Sequence, residues 1–140
     1  MLVQILIGSA TILSTMMVIV GFVGISIRFF KRLDSHMNDN GNWNKRMFVS
    51  LATAVVMVLI ANTICIWIWA ILFRFLDVFP TFESAVYFSL VSFTTVGYGD
   101  VVADEGWRVL TGFVSVNGLL AFGVFTAFMM QVISQVSMKN

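Results

Sequence analysis

Charge is what this chain has least of. Only 11% of its 140 residues are Asp, Glu, Lys or Arg, against roughly 25% in an ordinary soluble domain. That scarcity excludes a water-soluble globular domain. A single proline excludes a Pro-rich linker protein. A single cysteine excludes an intrachain disulfide framework and a Cys-rich metal site. The one histidine, His36, stands in a polar segment with no second ligand beside it. No nucleophile and base fall at a recognisable spacing, so enzyme activity has no support. What the chain has instead is apolar surface: 59% of it is hydrophobic and 14% aromatic.

The charges are absent in blocks. Residues 1–27, 47–73 and 109–138 carry none. A spanning helix needs about 20 mostly apolar residues, so each run is long enough to cross a bilayer. The first run lacks the basic start and small-x-small cleavage site of a signal peptide and is expected to be retained. Arg28, Lys31, Arg32, Lys45 and Arg46 face only Asp34 and Asp39 in the first connector. The second holds Arg74 and Arg108 against Asp77, Glu83, Asp100, Asp104 and Glu105. The positive-inside rule places the first connector in the cytoplasm, the N-terminus outside and the C-terminus inside. Trp43 is expected at the inner boundary, Trp67 and Trp69 near the outer end of the second helix, and Trp107 at the start of the third, at headgroup depth. The first connector, rich in Asn, Asp and Gly, reads as a turn or loop. Cys65 reads as inert within a helix. The nine methionines read as packing. No helix carries an arginine ladder, which excludes a voltage sensor within the chain.

The second connector is more than a loop. Pro80 closes the second helix region, Thr81 is placed to cap a new helix, and Glu83 falls in its first turn. The apolar stretch Phe82–Phe93 makes about 18 Å of helix, too short to span. A short apolar helix between two spanning ones reads as re-entrant, tolerated only where protein or a water-filled cavity surrounds it. It runs into Thr94-Thr95-Val96-Gly97-Tyr98-Gly99-Asp100. Non-helical backbone inside a membrane needs partners for its carbonyls, and a dehydrated cation is one such partner. Gly97 and Gly99 permit positive φ, so that successive carbonyls turn to one side. Thr95 adds a hydroxyl. Neutral ligands suit a monovalent ion better than a divalent one, which prefers carboxylates.

The string Thr95-Val96-Gly97-Tyr98-Gly99 resembles the selectivity filter of the potassium-channel pore-domain family. The likeness, to the small prokaryotic type with one extra N-terminal helix, covers roughly residues 47–136. It implies an all-α integral membrane fold, with three transmembrane helices, a re-entrant pore helix, a filter loop and a homotetrameric pore. The expected organisation is an N-terminal transmembrane helix over 1–30, a cytoplasmic linker over 31–46 and a pore domain over 47–138. Within the pore domain the expected elements are an outer helix over 47–75, a pore helix over 81–94, the filter over 95–100 and an inner helix over 106–136. The resemblance implies passive K⁺ conduction across the plasma or inner membrane. The carbonyls of Thr95, Val96, Gly97 and Tyr98 and the Thr95 hydroxyl would hold the ion, with Gly99 completing the filter. Gly118 matches a family glycine where the inner helix bends in gating; close packing of small residues is the competing reading. Leu119, Phe122 and Thr126 would then face the cavity. The expected partners are lipid and identical copies of the chain, without nucleic acid, organic cofactor or small-molecule substrate. The alternative function is a non-conducting or regulatory subunit that assembles with another channel.

Four further expectations are specific. Some family members pair a glutamate four residues before the first filter threonine with the aspartate after the filter; here that position is Val91, and the pair cannot form. Tyr87, where the family often has tryptophan, is then expected to donate to Asp100 and support the filter. Asn62 and Asn117, at similar depth, are expected to link the outer and inner helices. Gly8, Ala10, Ser14, Gly21 and Gly24 are expected to pack a peripheral first helix against the second.

Overall fold

The computed structural model describes the backbone of residues 1–37 and 43–137, and the side chains of 1–29 and 47–135. Residues 38–42, part of the segment expected as a turn or loop, the side chains of Lys31, Arg32, His36, Trp43, Lys45 and Arg46, and Lys139 lie outside the described residues. The described chain is all helical. It comprises α1 (Leu2–Met37), α2 (Trp43–Phe75), α3 (Phe82–Phe93), a 3₁₀ turn (Glu105–Trp107) and α4 (Arg108–Ser137). Three of these helices are long and apolar enough to cross a membrane, over Leu2–Phe29, Met47–Phe75 and Glu105–Gln135. Part of the segment expected as linker is helical instead: α1 continues to Met37 and α2 begins at Trp43.

Helix α2 stops well before Pro80. Val78 N donates to Phe73 O at 2.9 Å and Asp77 N to Arg74 O at 3.3 Å, with Asp77 in the left-handed region at φ 50°. This is a Schellman-type ending with aspartate where glycine is usual. Asp77 also pairs with Arg74. After Pro80, Thr81 caps α3 by accepting the Ser84 N–H at 3.1 Å, and Glu83 lies in the first turn.

Helix α3 is wedged between α2 and α4. Phe73 on α2 packs edge-on against Phe79 and Phe88, each at 5.7 Å between ring centroids. Phe79 and Phe88 lie 4.8 Å apart. These rings fix the start of α3 against the end of α2, and aromatic pairs of this geometry contribute about 0.5–1.5 kcal/mol beyond their area.

Helix α1 reverses the soluble pattern. Its buried face carries small and polar residues: Gly8, Thr15 and Ser26 are buried with Ile19. Its exposed face carries Leu2, Leu6, Leu13, Met17 and Val20. Lipid is as apolar as any core, so small residues mark helix contacts here. The contacts differ from those expected. A Cβ on Gly8 would lie 2.6 Å from the ring of Phe113, which belongs to α4 and not α2. Ala10 and Ser14 are exposed, and Gly21 and Gly24 have open space around them. Helix α1 therefore packs on α4 as well as α2, and only Gly8 of the five glycine, alanine and serine positions makes a close approach.

Candidate permeation site

From the end of α3 the chain doubles back. Thr95 N donates to Ser92 O at 3.0 Å, Gly97 N to Val91 O at 3.0 Å, and Tyr87 Oη to Asp100 Oδ2 at 2.6 Å. As residue number rises along the loop, its partner falls back along α3. The segment 95–100 thus climbs antiparallel to α3 and leaves at the end where α3 entered. A trans peptide sets its C=O opposite its N–H. The N–H bonds from Thr95 and Gly97 to α3 therefore point the carbonyls of Thr94 and Val96 away from α3, towards the open side.

The backbone hand alternates along this segment. Thr95 has φ 60°, Gly97 55° and Gly99 78°, whereas Val96 and Tyr98 do not have positive φ. In an extended strand successive carbonyls point to opposite sides; reversing the hand at every second residue brings them to the same side. Glycine takes positive φ without penalty. Thr95 does not: a β-branched residue there is a genuine outlier, costing about 1–3 kcal/mol. The whole string 94–100 is exposed in the single chain, with Val96 and Tyr98 among its uncovered apolar side chains.

Beneath the loop lies a cavity of about 830 Å³. Thr94, Thr95, Gly118, Leu119, Phe122 and Thr126 line it. The three residues expected at a cavity therefore share one with the foot of the loop. The C-terminal end of α3 faces it, and a helix C-terminus carries partial negative charge that favours a cation. The Thr126 hydroxyl is turned back to Phe122 O at 2.8 Å.

Gly118 is where α3 and α4 touch. A Cβ there would stand 1.8 Å from Phe93 O. Ser115 Oγ donates to Ser92 O at 3.1 Å. Helix α4 runs unbroken through Gly118. Close packing is thus a sufficient reason for the glycine, independent of bending.

The two amides do not meet. Asn62 faces the cavity. Asn117 is fully buried, and its Oδ1 accepts from Trp69 Nε1 at 2.7 Å and Thr15 Oγ1 at 2.8 Å. It therefore ties α4 to α2 and to α1, through an indole and a hydroxyl. An indole only donates, which fixes the amide's orientation; its Nδ2 is left without a partner among the described residues. A buried orphan of this kind costs about 1–3 kcal/mol. Trp69 is consequently wholly buried within the protein, while Trp67 is half exposed.

Gln4 was not legible as a site residue. Its amide donates to Gly106 O and accepts from Leu110 N at 3.2 Å, so α1 caps the start of α4. A lone amide in the first turn of an apolar run was the one available signal. Among the described residues no cluster of His, Cys, Asp and Glu could hold a metal.

A family model described as an ion channel matches residues 53–135. The chain belongs to the ion channel family. The match begins within α2 and takes in α3, the loop and nearly all of α4, leaving α1 outside it. Comparison with curated proteins and with solved structures gives no match. The channel is a multi-pass membrane protein whose surroundings are a lipid bilayer.

The Tyr87–Asp100 contact lies outside the channel's spans. The phenol hydrogen bond holds the Asp100 carboxyl below its ordinary value, aided by backbone N–H groups, Val101 among them. The same bond pushes the Tyr87 hydroxyl up. A lowered acid contributes stability above its ordinary pKa and loses it as pH falls through the lowered value. A raised phenol contributes below its ordinary pKa and loses it as pH rises through the raised value. The contact therefore persists through the neutral range. Tyr87→Phe is expected to shorten open times at about pH 6 and about pH 8 alike, leaving assembly intact. Unchanged open times would show that the contact has no functional role.

Proposed function

We propose that this channel conducts K⁺ selectively and passively through a homotetrameric pore. Four copies of Thr95-Val96-Gly97-Tyr98-Gly99 surround one axis. The carbonyls of Thr95, Val96, Gly97 and Tyr98, with the Thr95 hydroxyl, replace the ion's hydration shell, and entry of one ion drives exit of another. The observation that carries this reading is the alternation of positive φ at Thr95, Gly97 and Gly99 in a loop bonded back onto α3. One chain supplies one wall of such a site, and its exposed loop is the surface that copies would enclose.

In this reading α2 is the outer helix, α3 the pore helix and α4 the inner helix; Leu119, Phe122 and Thr126 line the water-filled vestibule. Gly118 serves packing first and bending second. Tyr87 and Asp100 support the outer end of the filter. The N-terminus lies outside and the C-terminus in the cytoplasm, in the plasma or inner membrane. Purified protein under mild detergent is expected at the mass of four chains, and in liposomes it is expected to release K⁺ down a gradient. A monomeric or dimeric mass, or silent liposomes, would overturn the proposal; silence with intact fourfold mass would favour the non-conducting subunit.

A further inference from the structure

We infer that Asn117 is a positioning residue for the filter, and that α1 acts on permeation through it. The inference rests on the proposed function and extends it to a helix that the family match leaves out. One turn of α4, residues 115–118, holds the three other helices at once. Ser115 bonds the carbonyl of Ser92, and Gly118 lies against the carbonyl of Phe93. Both are at the end of α3, and the next residues are Thr94 and Thr95, the foot of the filter. Between them Asn117 takes the indole of α2 and the hydroxyl of α1 on a single oxygen.

The proton placement is determined. Thr15 Oγ1 has other acceptors in reach, Thr11 O at 3.0 Å and Ile12 O at 2.9 Å. If its proton went to either, two lone-pair oxygens would face each other at 2.8 Å in a buried site. The amide cannot turn to supply the proton, because Nδ2 would then face the indole N–H, a second donor. The Thr15 hydroxyl therefore donates to Asn117, and α1 holds α4 by a directed bond. Higher up, Gln4 bonds the start of α4, and Phe113 sits over Gly8. These contacts fix the register of α1 along α4, so a displacement of α1 reaches the turn at 115–118, and from there the carbonyls that hold the foot of the filter. Helix α1 is thus a brace on the conducting state rather than an anchor.

Single-channel recording of Thr15→Val, Thr15→Ser and Trp69→Phe in planar bilayers tests this, with native mass measured alongside. Loss of a merely structural contact lowers the number of assembled channels; loss of a positioning contact lowers the open fraction of each. Thr15→Val, which removes this bond from each of four chains, is expected to lower the open fraction at least about threefold, the effect of a single average membrane hydrogen bond, at unchanged fourfold mass. Thr15→Ser, which keeps the hydroxyl, should return it to wild type. Trp69→Phe removes the second donor and should shift it in the same direction, and it carries the test alone if Thr15→Val does not assemble. Ser14→Ala, one residue away on the exposed face, is the unchanged control. Wild-type open fractions in both Thr15→Val and Trp69→Phe, or failure of Thr15→Ser to restore, would overturn the inference. Absence of current from the wild-type protein would overturn the proposed function, and this inference with it.

Discussion

Gly118→Ala is expected to destabilise the channel and to lower its K⁺ current at least tenfold. The sign matters more than the size. In a free helix, alanine is better than glycine by about 1 kcal/mol, so a residue present only for bending would be stabilised by the change. Here the new methyl would stand 1.8 Å from Phe93 O and 2.7 Å from its carbonyl carbon. The obstacle is backbone, which cannot rotate aside as a side chain would. Overpacking typically costs about 1–3 kcal/mol, and the atoms displaced are those at the foot of the filter. Gly123, with nothing within 4 Å, is the internal comparison: Gly123→Ala should leave thermal stability unchanged or raise it. Melting of the purified protein, with currents on the same samples, distinguishes the two readings. A stabilised Gly118→Ala protein would return the glycine to a bending role.

Gly97→Ala is expected to remove K⁺ conduction while leaving the helices folded. No atom obstructs a side chain at Gly97 in the single chain; the difficulty is its φ of +55°. An L-residue held left-handed costs about 1–2 kcal/mol. Thr95 already bears that strain. In the proposed assembly four copies change together around one axis, giving about 4–8 kcal/mol against the conducting conformation. At about 1.4 kcal/mol per tenfold, that is roughly three orders of magnitude or more. Helix content by circular dichroism should match wild type, since Gly97 lies in no helix. Full current from Gly97→Ala would show that the backbone hand at this position does not matter to conduction.

The sequence disclosed most readily what depends on spacing along one chain. Gaps between charges marked the three spans, and the Thr81 cap with its short apolar run marked α3. The loop string carried its own chemistry because glycine's freedom is a property of the residue itself. What stayed hidden depends on register between helices. Asn117 was expected to link the inner helix to the outer one and does so, through Trp69; Asn62, grouped with it by depth, takes no part in that link. Depth does not say which way a side chain points, and Asn62 points to the cavity. Helix α1 was harder still. In water its buried face would have been the apolar one, whereas in lipid both faces are apolar and the contact is marked by small and polar residues. Gln4, Gly8, Thr15 and Ser26 recur at three- and four-residue multiples on one face, a pattern recognisable once the environment is known. Gly21 and Gly24 break it, since they face open space. Helix α2 ends at Phe75; what stayed hidden was the form of that ending, because Asp77 takes the left-handed conformation where glycine is usual.

The measurement closest to the central claim is the reversal potential of wild-type channels in a planar bilayer, with K⁺ alone on one side and Na⁺ alone at equal concentration on the other. A filter of neutral carbonyls built as described should displace the reversal strongly in the direction set by K⁺. A hundredfold preference gives roughly 118 mV, at about 59 mV per tenfold for a singly charged carrier. A reversal near zero, with current flowing equally for both ions, would contradict the account.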